Sequence, residues 1–362
     1  MITRAQFRWI WLGWATAALA GFPTLAGLPA PASATQFTPL LADTSYRDTD
    51  PAPSPDGKWL AFQSSRSGRN QIWLMPTDGG APRQLTAEPE SILVSSPTDS
   101  VPKYMPVRTM TPTWAPDGKS ILYISTRSGA YNIYSIPVDG GEPTPLSNAP
   151  GSQRYAAYSP DGKQIVFPSN RLRPTELFGF NLYVMEASGE VAGPPARQLT
   201  FSGGGPGHPI WSPDGKWVAF VAKDFDTTRT VSLGSGMSAK ESPMFARFRV
   251  FKTPAAGGKE TRLSGLTPEK ELSEDTWPSW SPDGKWIAFG RNVGGKANLW
   301  VVDVATKKAF PITSTDNCMK PTWSYDGKAI YYTTLNGKDE DLWVATDLTL
   351  VPPAKPASTT KK

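Results

Sequence analysis

A chain of 362 residues with 37 prolines, 32 glycines and 14 tryptophans carries too much turn chemistry for a helical protein and reads as all-β. One cysteine, Cys318, and one histidine, His208, leave no material for a disulfide framework, a Cys/His zinc site or a di-histidine metal site. The formal charge of +5 resides at the ends, in Arg4, Arg8, Lys355, Lys361 and Lys362, and the neutral body between them offers no electrostatic footprint for nucleic acid.

Arg4 and Arg8 are followed by an apolar run and then by Ala32-Ser33-Ala34. That order of basic, apolar and small residues predicts a secretory signal peptide over residues 1–34, cleaved after Ala34. An uncleaved anchor is the rival, because Trp9 to Leu28 is long enough to span a bilayer; Pro23 and the Ala-x-Ala site argue against it. The mature protein is accordingly expected to be periplasmic or secreted, without stable membrane insertion.

An internal repeat organises the rest. Ser-Pro-Asp-Gly-Lys or a close variant recurs six times, with its Asp-Gly pair at Asp56-Gly57, Asp117-Gly118, Asp161-Gly162, Asp214-Gly215, Asp283-Gly284 and Asp326-Gly327. A short strand-like segment precedes each copy, as in Pro278-Ser279-Trp280, and an alternating one follows, as in Trp286-Ile287-Ala288-Phe289. This is a hairpin: proline presets φ at the first central position, Asp tolerates the second, and Gly takes the left-handed angle. A third strand is marked by an aromatic at Trp73, Tyr134, Tyr183, Phe251, Trp300 and Trp343, and a fourth by Leu85, Leu146, Leu199, Leu263 and Ile312. Four strands per repeat make a propeller blade. The sixth repeat lacks its fourth strand, while Gln36 to Asp43 (QFTPLLAD) matches the fourth-strand segment EPTPLSNA at Glu142 to Ala149. The prediction is one six-bladed β-propeller over residues 35–351, closed by an N-terminal strand that completes the last blade, with a disordered Pro/Lys/Thr tail at residues 352–362.

These repeats, for example Pro278-Ser279-Trp280-Ser281-Pro282-Asp283-Gly284-Lys285-Trp286-Ile287-Ala288-Phe289, resemble the WD40-like or PD40 repeats of the TolB family, across about residues 36 to 351. The resemblance implies the propeller fold and is limited to the propeller part. It is much less specific for function, since similar repeats occur in periplasmic TolB, a component of the Tol-Pal envelope system, and in the propellers of dipeptidyl and prolyl peptidases.

Loop lengths distinguish the two faces of the predicted ring. The Ser-Pro-Asp-Gly-Lys turn never changes length, whereas the opposite face receives Glu88 to Met110, Leu172 to Phe180, Lys223 to Arg247 and Gly265 to Thr276. Insertions gathered on one face mark it as the binding face. On that face, the residue entering each first strand is expected at the mouth of the central channel: Asp50, Thr111, Tyr155, His208, Trp277 and Lys320. Such a mixed ring suits a peptide or another polar ligand. Arg66, Arg127 and Arg171 recur just after strand two and are read as structural, bonding loop carbonyls.

A nucleophilic mechanism needs an activated nucleophile, a base and an orienting group. No G-x-S-x-G is present, His208 has no partner motif, and peptidases sharing the propeller carry their catalysis in a separate α/β-hydrolase domain. The reading is a binding propeller at the cell envelope with a protein or peptide partner, a monomer with no metal, no cofactor and no catalysis of its own. The alternative is a carbohydrate-active or hydrolytic enzyme using the loop carboxylates Asp224, Asp226, Glu271, Glu274 and Asp275 at the channel mouth.

Overall fold

The computed structural model describes residues 35–350 apart from 42–44, 95–101, 177–178, 203, 225–229, 233–237, 241–246, 266–272 and 337–338; the expected leader over 1–34 and the tail over 352–362 lie outside the described residues. Six four-stranded antiparallel sheets follow one another along the chain, the first five with their strands in sequential order. Blade 1 consists of Asp48–Pro53, Trp59–Ser64, Gln71–Pro76 and Arg83–Gln84. Blade 5 consists of Ser273–Trp280, Trp286–Val293, Lys296–Asp303 and Ala309–Pro311. The sixth blade closes the ring as predicted: Cys318–Trp323, Ile330–Asn336 and Asp339–Thr346 are followed in the sheet by Gln36–Leu41 from the other end of the chain.

The repeated turn folds because its residues satisfy one another. In blade 1 the Ser54 hydroxyl donates to Asp56 Oδ1 at 2.6 Å and accepts from the Trp59 amide at 2.9 Å. Asp56 Oδ1 also accepts the Lys58 amide at 3.1 Å, while Gly57 sits at φ 72° and donates to the Ser54 carbonyl at 2.9 Å. The serine hydroxyl, ahead of the backbone amide, holds the carboxyls of Asp56, Asp161, Asp214 and Asp326 below the usual carboxylate range. Blade 2 has Ala115 in place of the serine, so Asp117 keeps the Lys119 amide at 3.0 Å without a hydroxyl beside it. Ala115→Ser should therefore supply the missing bonds and raise the unfolding free energy by about 1 kcal/mol, measured by urea titration. No gain would mean that solvent already satisfies this turn equally well.

The core lies between blades. Phe62, Tyr123, Phe167, Phe220, Phe289 and Tyr332 occupy the same position of successive second strands and are all buried. Six apolar clusters form around them, each joining consecutive blades, including one in which Leu60, Phe62 and Met75 of blade 1 meet Tyr331 and Leu342 of blade 6. Tryptophans at the ends of first strands tie blades together: Trp114 Nε1 donates to the Ala52 carbonyl at 2.8 Å, and Trp211 Nε1 to the Ala157 carbonyl at 3.2 Å.

The fourth strands are shorter than expected, with only two residues in blades 1 to 4. The leucines predicted to mark them stand just beyond, where Leu85, Leu146, Leu199 and Leu263 are buried and donate amides to the third strand at 2.7–2.8 Å. Two further hairpins arise in the insertions, Ser91–Leu93 with Tyr104–Pro106 and Thr230–Ser232 with Ser238–Lys240. The first falls between the fourth strand of blade 1 and the first strand of blade 2, and so belongs to the face opposite the Ser-Pro-Asp-Gly-Lys turns.

Candidate functional site

The six residues singled out at the strand entries share a backbone conformation that the sequence alone does not announce. Asp50, Thr111, Tyr155, His208, Trp277 and Lys320 all have φ between 48° and 55°. For a β-branched or bulky aromatic residue this left-handed region is an outlier, costing roughly 1–2 kcal/mol. The cause lies in the ladder between strands one and two, whose register slips at Thr49/Ala52, Met110/Thr113, Gly207/Ile210, Thr276/Ser279 and Met319/Thr322. In blade 3 the same ladder is interrupted between the Gln153–Ser169 bridge and the Ala157–Val166 pair. Pro51, Pro112, Pro209, Pro278 and Pro321 follow the ring residues and have no amide to give the partner strand. A bulge re-aims its side chain out of the normal alternation, here toward the channel.

All six side chains line one cavity of about 160 Å³. Contacts run around most of the ring. The Tyr155 and His208 ring centroids are 3.9 Å apart, and those of His208 and Trp277 are 5.1 Å apart. Lys320 Nζ lies 5.4 Å from the Trp277 centroid, donates to Thr49 Oγ1 at 2.6 Å and pairs with Asp50 Oδ1 at 3.2 Å. Next to Tyr155, Arg154 stacks on Tyr131 at 4.4 Å and on Phe180 at 5.5 Å.

The polar groups of the ring are incompletely satisfied. Among the described residues, both nitrogens of His208 are removed from solvent and have no hydrogen-bond partner, and neither has the Thr111 hydroxyl nor Arg154 Nε. Burial, reinforced by the positive charge of Lys320, pulls the His208 pKa down to about 3, so the imidazole is neutral at physiological pH. Burial also raises the Tyr155 phenol, which stays protonated; Arg154 opposes that rise and Asp50 adds to it. A buried polar group without a partner carries a desolvation penalty, which a ligand of matching chemistry removes. Ala52, Thr113, Ile210, Ser279 and Thr322 also border a second space, of about 440 Å³, together with Trp114, Trp211, Trp280, Trp323 and Tyr325.

The repeated arginines pair with carboxylates, where carbonyl partners were expected. Arg66 pairs with Asp48, Arg127 with Glu88 at 3.4 Å, and Arg171 with Glu190 through bonds of 2.8 and 3.0 Å. Arg291, inside the second strand of blade 5, makes a comparable pair, bidentate to the buried Asp275 at 2.6 and 2.9 Å. Each also stacks on an aromatic ring, such as Tyr134 for Arg127 and Trp300 for Arg291. A planar, permanently charged fork explains why arginine stands at these positions. The loop acids fare differently from the ring. Asp224 pairs with Arg262, Asp275 is held by Arg291 and Ser264, Glu274 is exposed, and Asp226 and Glu271 lie outside the described residues. None of the three described acids borders the 160 Å³ cavity. Cys318 is buried, and burial pushes its thiol pKa up, against a reactive role.

Residues 96–241 match the family model of the TolB beta propeller domain. An uncharacterized protein of Agrobacterium fabrum is 29% identical over 258 residues, covering 70% of this chain and 74% of that protein. The uncharacterized peptidase YuxL of Bacillus subtilis is 32% identical over 183 residues, and dipeptidyl-peptidase 5 of Porphyromonas endodontalis 26% identical over 161 residues, covering 50% and 43% of this chain. The matches span only 22% and 21% of the length of those two peptidases. Among solved structures, the putative TolB from Agrobacterium tumefaciens superimposes with a TM-score of 0.57 at 18% identity, over 86% of this chain and 97% of that one. TolB from Acinetobacter baumannii gives 0.53 at 19% identity, over 89% of this chain and 66% of that one.

The peptidase matches correct the expectation of a chain with no catalysis of its own, because they give it enzymatic relatives. That expectation rested on a missing nucleophile motif and a single histidine, which bear on one class of mechanism and not on what a shared scaffold serves. By its six repeats and its closed ring the chain is a six-bladed β-propeller, similar over residues 96–241 to the TolB beta propeller domain.

Proposed function

We propose that this propeller binds a protein or peptide partner at the cell envelope, through the ring of Asp50, Thr111, Tyr155, His208, Trp277 and Lys320. The observation that carries the reading is the convergence of six strained, non-glycine residues on one cavity in which the His208 nitrogens and the Thr111 hydroxyl have no partner. Backbone strain held by a rigid scaffold gathers at functional sites. The peptidase relatives favour a peptide as the class of ligand. Export through the leader over residues 1–34 belongs to the same reading, as does a mature chain beginning at Thr35.

Aromatic groups near the centre of a concave surface supply much of the affinity in typical interfaces. Trp277 touches both His208 and Lys320, so its removal should loosen the ring as well as delete contact area. For binders selected from a random peptide library, Trp277→Ala should weaken affinity by about 2 kcal/mol, roughly thirtyfold, in calorimetric titration. Alanine at Lys58, Lys119 and Lys285, on the opposite face, should change little. The reverse pattern would place binding on the turn face and overturn the assignment.

A further inference from the structure

The ring holds more donors than acceptors, and they converge. Lys320 has three N–H groups, of which Thr49 Oγ1 and Asp50 Oδ1 engage two. A neutral imidazole adds one N–H at His208 and the Thr111 hydroxyl one O–H, both without a partner among the described residues, and Tyr155 lines the same cavity. The one carboxylate lining the cavity, Asp50, already shares Lys320, while Arg154 adds a second positive charge close enough to act on Tyr155. The cavity therefore has unmet hydrogen-bond donors beside a carboxylate that is already paired, with the positive charge of Arg154 close behind Tyr155, which suits a monoanion with several acceptor lone pairs.

Volume limits what that anion can belong to. About 160 Å³ is close to the size of a cavity that takes one benzene-sized group, enough for the end group of a single residue. We propose that the ring recognises the free C-terminal carboxylate of a peptide, which enters end-on. The carboxylate takes N–H donors from Lys320 and His208 and O–H donors from Thr111 and Tyr155. The second oxygen of Asp50 accepts the amide N–H of the terminal residue. This rests on the peptide-binding reading above and adds to it which part of the peptide is read.

Charge-assisted bonds to a carboxylate are about twice as strong as neutral ones, so loss of the charge should be large in effect. The test uses a random library of N-acetylated pentapeptides, synthesised once with free C-termini and once as C-terminal amides, titrated against the purified protein. Free acids are expected to bind at least tenfold more tightly than the matching amides. Lys320→Gln should bring the ratio of acid to amide affinity close to one. Because Lys320→Gln strips Asp50 of its counterion, the double variant Asp50→Asn/Lys320→Gln, checked for an unchanged melting temperature, separates misfolding from lost recognition. Equal affinity for acids and amides would overturn the carboxylate assignment while peptide binding stood. A preference for internal glutamate over the free terminus would overturn it as well. Binding of neither series would overturn the peptide reading itself.

Discussion

Removing Gln36–Leu41 together with everything before it should lower the melting temperature by on the order of 10 °C, far more than trimming a loose terminus would. The strand pairs with the third strand of blade 6 from Gln36↔Thr346 to Leu41↔Leu342. Its Leu40 and Leu41 pack beside Leu60, Phe62 and Leu342, at the seam between the last blade and the first, and Phe37 meets Tyr332 edge-on at 6.5 Å between centroids. Two half-buried leucines at about 1.5 kcal/mol each, with several ladder bonds at about 1 kcal/mol net, bring the loss to roughly 5 kcal/mol or more. Deletion also exposes the edge of Asp339–Thr346, an invitation to pair with another chain. Calorimetry of the truncated protein and of a Leu40→Asp/Leu41→Asp variant checks both effects. An unchanged melting temperature in either would mean that the seam holds without the strand.

The second large effect is on acid stability. His208 titrates near pH 3 in the folded protein and near 6.5 when unfolded, so its folded pKa is depressed. Below pH 6.5 the unfolded chain takes up a proton that the folded ring refuses, so the stability this group contributes is complete above 6.5 and is lost as the pH falls toward 3. From pH 7 to pH 5 the loss is about 2 kcal/mol. Asparagine tolerates the left-handed backbone at φ 51° and does not titrate, so His208→Asn should flatten the difference between pH 7 and pH 5 by that amount. Urea titrations of both proteins at the two pH values decide it, and identical pH slopes would show that His208 gains its proton without disturbing the ring.

Much of the architecture was legible because a propeller writes itself in short-range chemistry. A turn needing Asp then Gly, flanked by alternating residues, is visible within about ten positions, and its recurrence counts the blades. The strand-entry residues followed from that count, and Asp50 through Lys320 do meet in one cavity. The left-handed backbone at those positions was not legible, because a register slip is a property of two paired strands and leaves only a proline after the residue as a trace. Long-range pairs were equally hidden: Arg127 meets Glu88 of the preceding insertion, and nothing local links them. The extent of the fourth strands is hidden for a related reason: the spacing marks Leu85 and its counterparts as strand residues, and they stand as buried stops just outside the paired segment. The repeats already resemble those of peptidase propellers, and what the peptidase matches overturn is the step from missing catalytic motifs to a chain without enzymatic relatives, because motifs for one mechanism say little about the company a scaffold keeps.

The slipped ladders have an evolutionary consequence. Since the bulge and not the side chain sets the backbone at each entry, residues as unlike as Asp, Thr, Tyr, His, Trp and Lys occupy the six sites within a few degrees of one another. Each site can be exchanged without rebuilding its blade, because the apolar seams that hold the ring lie elsewhere. The mouth is in effect a six-letter word written on a fixed line, its neighbouring letters coupled by contact, so paralogues could diverge in ligand by side-chain changes while keeping one fold.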